Sequence, residues 1–119
     1  MSSPPRPVAH YSPIVRAGDF LVVSGQLGLD GGTLVPGVSA QVRQALANLA
    51  AVLASEGASM ADVVRTTVFL RHIDDFGLMN EVYAEAFGDH RPARSAVAVA
   101  DLPLGGLVEI EAWAYQPTA

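Results

Sequence analysis

Two short segments in the last third of the chain hold the residue types that could do chemistry: Arg91-Pro92-Ala93-Arg94 and Val108-Glu109-Ile110-Glu111. An arginine at the mouth of a strand is a good receptor for a planar carboxylate, because its fork offers paired donors and never loses its charge. A glutamate held nearby can orient or deprotonate a water, provided burial raises its pKa toward neutrality. Strand periodicity places Glu109 and Glu111 on one face with Leu107, Trp113 and Tyr115, opposite Val108, Ile110, Ala112 and Ala114. The plain alternative is that Arg94 and Glu109 form a structural ion pair with no chemical task, and that Glu111 is a solvated or interface-facing carboxylate. His10, His72 and His90 lack metal-ligand spacing and read as surface or loop residues. Ser24 lies in Ser-Gly-Gln rather than in a nucleophile elbow, so it reads as a hydrogen-bond donor.

The absences narrow the mechanism further. The chain has no cysteine and no lysine; all seven basic residues are arginine. Thiolate nucleophiles, disulfides, cysteine-built zinc sites, Schiff bases to the enzyme, lysine-bound pyridoxal and the Walker motif are all excluded. What remains is carboxylate, arginine, hydroxyl, imidazole, backbone and water, and no cofactor is expected. Twelve acidic residues against seven basic ones give a formal net charge of -5, the wrong sign for a protein whose main partner is nucleic acid. No apolar run reaches membrane-helix length, and residues 1–7 lack the pattern of a signal peptide, so a soluble, cytoplasmic protein with no membrane partner is expected.

The elements that must position these residues follow from pattern. A chain of 119 residues, half of them hydrophobic, is the size of one domain with a real core. Pro4, Pro5 and Pro7 suggest a flexible arm over residues 1–10, followed by a single domain over 11–119. Ala17-Gly18-Asp19 reads as a turn into a strand Phe20–Ser24 closed by Gly25, and Asp30-Gly31-Gly32 as another turn. Val42, Leu46, Leu49 and Leu53 share one helical face, with Ser39 as the expected N-cap and Gly57 as the stop. Asp62 to Arg71 is the strongest strand. A second helix is capped by Asp74 or Asp75, carries Phe76, Met79, Tyr83 and Phe87 as its apolar stripe, and ends at Gly88. Ser95–Ala100 and Leu107–Tyr115 then read as strands joined by a turn over residues 102–106. The order predicts an α+β fold, one sheet with both helices packed on one face. Val97, Val99, Val108 and Ile110 suggest a second sheet face apolar enough to need another subunit as cover.

Several segments, in order, resemble the RidA/YjgF family of reactive-intermediate deaminases. They are Ala17-Gly18-Asp19, Val23-Ser24-Gly25-Gln26, Arg65-Thr66-Thr67-Val68-Phe69-Leu70, Met79-Asn80-Glu81-Val82-Tyr83, Arg91-Pro92-Ala93-Arg94-Ser95, Leu102-Pro103 and Val108-Glu109-Ile110-Glu111-Ala112. The resemblance runs from about Tyr11 to Ala114. It implies a chorismate-mutase-like α+β single domain with a mixed β-sheet, and a homotrimer with sites in clefts between neighbouring subunits. It also implies cofactor-independent hydrolysis of enamines and imines, such as 2-aminoacrylate or 2-iminobutyrate, to 2-keto acids and ammonia. Residue by residue, Arg94 matches the carboxylate-binding arginine, and Tyr11, Ser24 and Asn80 match positions lining the cleft. Glu109 matches the glutamate that positions or activates the water, with Gly25 letting the backbone come close. The sequence departs from the family in three places: Ala96 stands where many members have cysteine, Ala9-His10 where many have Gly-Pro or Ala-Pro, and the loop from Gly88 to Arg94 is short.

Two other readings follow from the same residues. One keeps the trimer but makes it a non-catalytic metabolite-binding or regulatory protein that recognises small carboxylates, imine or keto acid, through Arg94; a retained Glu109 favours the enzyme, since a carboxylate sensor needs only the arginine. The other, an RNA-directed or chaperone role, fits poorly with a net charge of -5 and no lysine.

Overall fold

A computed structural model describes residues 9–118. The arm expected over residues 1–10 therefore falls almost wholly outside the described residues. The elements are β1 (Ile14–Ala17), β2 (Phe20–Leu27), a small hairpin of β3 (Leu29–Asp30) and β4 (Thr33–Leu34), α1 (Val38–Ala54), β5 (Val63–Leu70), α2 (Phe76–Phe87), β6 (Ala93–Ala98) and β7 (Val108–Tyr115). Five strands form one sheet in the order β1-β2-β7-β5-β6. Only β5 and β6 run parallel, joined through α2, so the sheet is mixed.

The core forms where the two periodicities meet. Leu21 and Val23 of β2, Val68 and Leu70 of β5, and Val108, Ile110, Ala112 and Ala114 of β7 alternate inward onto Val42, Leu46, Leu49, Leu53 and Met79 of the helices. The expected stripe of α1 is buried throughout. α1 starts two residues earlier than expected, with Gly37 rather than Ser39 at the N-cap and no side-chain cap bond. Its end is closed by left-handed Gly57, where the Ala58 and Gly57 N–H groups donate back to the Leu53 and Ala54 carbonyls. Asp75 is the N-cap of α2 but makes no side-chain cap bond, because a 3-10 turn over Ile73–Asp75 leads into the helix instead. Phe76, expected in the stripe, is partly exposed, and Val82 is buried in its place.

Two strand expectations need correction, and one strand was not expected. β1 is a short edge strand that pairs with β2 across the Gly18-Asp19 turn. β2 does not stop at Gly25: the ladder to β7 breaks after Val23↔Ala112 and resumes at Gln26↔Ile110, so Ser24 and Gly25 form a bulge inside a longer strand. β6 begins at Ala93, two residues early, because the parallel ladder to β5 starts with Arg65↔Ala93 directly after Pro92. Arg94 therefore lies within a strand rather than at its mouth.

The apolar second face is also composed differently. Val108 and Ile110 are fully buried under the helices. The open face instead carries Val15, Phe20, Trp113, Tyr115 and Val97, all substantially exposed, together with Phe69, Glu109 and Glu111. Phe20 packs edge-on against both Trp113 and Tyr115, with ring centroids 6.0 and 5.3 Å apart. No helix among the described residues is long and apolar enough to cross a membrane.

Candidate functional site

Arg94 points from β6 toward α2. In the parallel register it stands opposite Thr66 of β5, whose side chain is buried on the helix-covered face. α2 supplies the receptor's frame: Phe76, Asn80 and Tyr83, spaced by four and three residues, share one helical side. The Arg94 Nη1 donates to the Asn80 Oδ1 at 2.8 Å, and the guanidinium carbon lies 4.8 Å from the Tyr83 ring centroid and 5.5 Å from that of Phe76. The Tyr83 hydroxyl shares a 2.7 Å hydrogen bond with the Thr66 hydroxyl. Burial raises the Tyr83 pKa above its ordinary value, while the Thr66 bond and the Arg94 charge act the other way. The phenol stays neutral, so no local anion neutralises the arginine. The guanidinium borders a cleft of about 430 Å³ whose lining also includes Asn80, Tyr83, His90 and Arg91.

Glu109 belongs to a second group on the opposite face. It stands across from Phe69 on one side and Leu27 on the other, half-buried. A methyl group built on Gly25 would lie 2.7 Å from the Glu109 Cδ, so the bulge in β2 needs glycine for this carboxylate to lie against the backbone. Burial first, and the negative charge of Glu111 second, raise the Glu109 pKa above the ordinary carboxylate range. The Ser24 hydroxyl donates to the Ser12 carbonyl at 2.7 Å, and the Ser24 N–H donates to the Pro13 carbonyl at 3.0 Å. These bonds tie the segment after Tyr11 to the bulge and leave the Tyr11 ring exposed.

The six expected residues thus fall into two groups. Ser24, Gly25 and Glu109 gather around the β2 bulge, Tyr11 directly precedes Ser12, whose carbonyl is bonded to Ser24, and Arg94 and Asn80 gather at the α2–β6 cleft. The structural ion pair between Arg94 and Glu109 does not exist: the two side chains leave opposite faces of the sheet, and the ion pair among the described residues is Arg71–Asp101, at 3.2 Å. Sequence reasoning missed the ring partners of Arg94, having assigned Phe76 and Tyr83 to the core stripe. His90 does lie in a loop, as expected, but its Nε2 lies 2.6 Å from the Val63 carbonyl and the residue lines the Arg94 cleft, which the sequence did not signal. No group of three His, Cys, Asp or Glu side chains that could hold a metal occurs among the described residues.

Comparison with known proteins agrees with this architecture. The chain is 47% identical to a RutC family protein of Pyrococcus horikoshii over 94% of this chain and 91% of that one. It is 45% identical to the 2-iminobutanoate/2-iminopropanoate deaminase of Rattus norvegicus over 97% of this chain and 86% of that one. The crystal structure of RidA from the Antarctic bacterium Psychrobacter sp. superposes with a TM-score of 0.92 at 41% identity, covering 95% of this chain and 94% of that one. The family model for Endoribonuclease L-PSP matches residues 1–116. With this sheet order, this bulge glycine and this arginine cleft, the chain belongs to the Endoribonuclease L-PSP family, the RidA/YjgF group that its sequence resembles.

Proposed function

We propose that the protein is a cofactor-independent deaminase that hydrolyses reactive enamines and imines of 2-amino acids to 2-keto acids and ammonia, working as a homotrimer whose sites are shared between neighbouring subunits. The observation that carries this reading is the presence, on opposite faces of one sheet, of an arginine without a carboxylate partner among the described residues and a half-buried glutamate whose pKa is raised by burial and by Glu111. A substrate of a few atoms cannot touch both from one chain. It can touch both if the cleft of one subunit meets the open face of the next, and the exposed Phe20, Trp113 and Tyr115 suit that face to a second copy. The naming of the Rattus relative as an imine deaminase supports the reaction class.

The chemistry asks little of the protein. Arg94 takes the substrate carboxylate in a bidentate grip, its orientation set by Asn80 and the Tyr83 ring. The carbon of a protonated imine is already electrophilic, so a water held by Glu109 adds to it as the carboxylate accepts the water's proton. The tetrahedral carbinolamine then collapses: the C–N bond breaks, nitrogen leaves as ammonia with the proton returned, and the oxygen becomes the carbonyl of the keto acid. Water and imine enter; keto acid and ammonia leave.

The test is keto-acid release from imines generated in situ by an amino-acid oxidase, comparing wild type with Arg94→Ala. Wild type accelerates release and Arg94→Ala returns the rate to background, a loss of at least about a hundredfold for a charged anchor. Carboxylate binding without acceleration, from a well-folded wild type, favours the metabolite-binding reading instead.

A further inference from the structure

The walls of the Arg94 cleft run against the charge of the whole molecule. In a chain with twelve acidic and seven basic residues, the lining includes His90, Arg91 and Arg94 and no carboxylate. Other arginines are engaged elsewhere: Arg16 donates to Gln116, Arg65 to Ser95, and Arg71 pairs with Asp101. Arg91 forms no ion pair among the described residues. A single substrate carboxylate satisfies Arg94, and the second guanidinium of the cleft then has no task in the reaction described above.

Geometry allows the two to act on one small molecule. Arg91 precedes Arg94 by three residues, a backbone span of at most about 10 Å, and both residues line the same cleft of about 430 Å³. The wall is also held in place. Pro92 fixes the backbone between the arginines, and the His90 Nε2–H donates to the Val63 carbonyl of β5 at 2.6 Å. Two arginines lining one cleft suit a ligand with two carboxylates a few ångströms apart.

Building on the deaminase reading, we infer that the preferred substrates are 2-imino dicarboxylic acids of four or five carbons. The carboxylate next to the imine carbon lies on Arg94 and the side-chain carboxylate on Arg91. The reaction is unchanged: water adds to the C=N carbon, ammonia leaves, and a 2-oxo dicarboxylate is formed.

The experiment compares kcat/KM for the imines of aspartate and glutamate with those of alanine and 2-aminobutyrate, each made in situ by an amino-acid oxidase, in wild type and Arg91→Ala. Wild type prefers the acidic imines by at least about tenfold, and Arg91→Ala lowers the acidic-to-apolar ratio by about the same factor. A wild-type ratio near one, or a variant that loses both classes equally, overturns the inference. If no imine is hydrolysed, the deaminase reading fails and binding decides the inference separately: oxaloacetate and 2-oxoglutarate are titrated against pyruvate by calorimetry. Tighter binding of the dicarboxylates, lost in Arg91→Ala, supports the two-arginine cleft; equal or absent binding overturns it. Circular dichroism confirms that the exposed-loop variant is folded.

Discussion

The protonation state of Glu109 decides what this site can do. As a base it must be ionised, and burial together with the Glu111 charge holds its pKa above the ordinary carboxylate range. Acidification therefore protonates it, and activity falls, at a higher pH than for a solvated glutamate; in the proposed trimer, further burial of this face would act in the same direction. Glu111→Gln removes one of the two causes, so the acidic limb of the kcat/KM profile moves to lower pH while the alkaline plateau is kept. A limb that stays in place, or moves upward, assigns the titration to another group. Part of this was legible in the sequence. Alternation along β7 places both glutamates on one face, and the structure keeps them there. The direction of Arg94 was not legible, since it depends on the long-range pairing Thr66↔Arg94, and strand pattern is silent about which strand lies beside which.

Among the elements, the β2 bulge does the most to build the site. Gly25 reads locally as a strand terminator, yet the ladder resumes two residues after the break, and the glycine's place is explained by the carboxylate lying over it. Gly25→Ala puts a methyl group 2.7 Å from the Glu109 Cδ, and Glu109 has to move. The expected result is a fall in kcat of about tenfold to a hundredfold, with a smaller change in KM, because displacement of a catalytic group acts on the chemical step. A fall in KM-governed binding alone would place Glu109 in substrate binding instead. The helices were more legible than the strands. Their apolar stripes repeat over several turns, whereas β1 and the β3–β4 hairpin are two to four residues long and offer no period to detect. The two-residue displacement of β6 has a similar origin: Pro92 reads as a breaker, but a proline just ahead of the first ladder pair costs the sheet no hydrogen bond.

At the scale of the whole molecule, one sheet with both helices on one face is the architecture expected from the element order, and its mixed character is the one implied by the family resemblance. The uncovered face was anticipated in part from the wrong residues: Val97 does lie on it. Val108 and Ile110 belong to the core, and Phe20, Trp113 and Tyr115 supply most of the exposed apolar surface instead. With Arg94 on the covered face and Glu109 on the open one, the account stands or falls on whether two chains share each site. The direct test co-expresses Arg94→Ala and Glu109→Ala chains under different tags, purifies the mixed assemblies through both tags, and assays imine hydrolysis. Each parent alone is inactive. In mixed trimers one in three of the subunit interfaces, about a third, unites an intact arginine from one chain with an intact glutamate from the other, and the account predicts activity restored in that proportion. Mixed assemblies as inactive as their parents, beside an active wild-type control carrying the same tags, would contradict it.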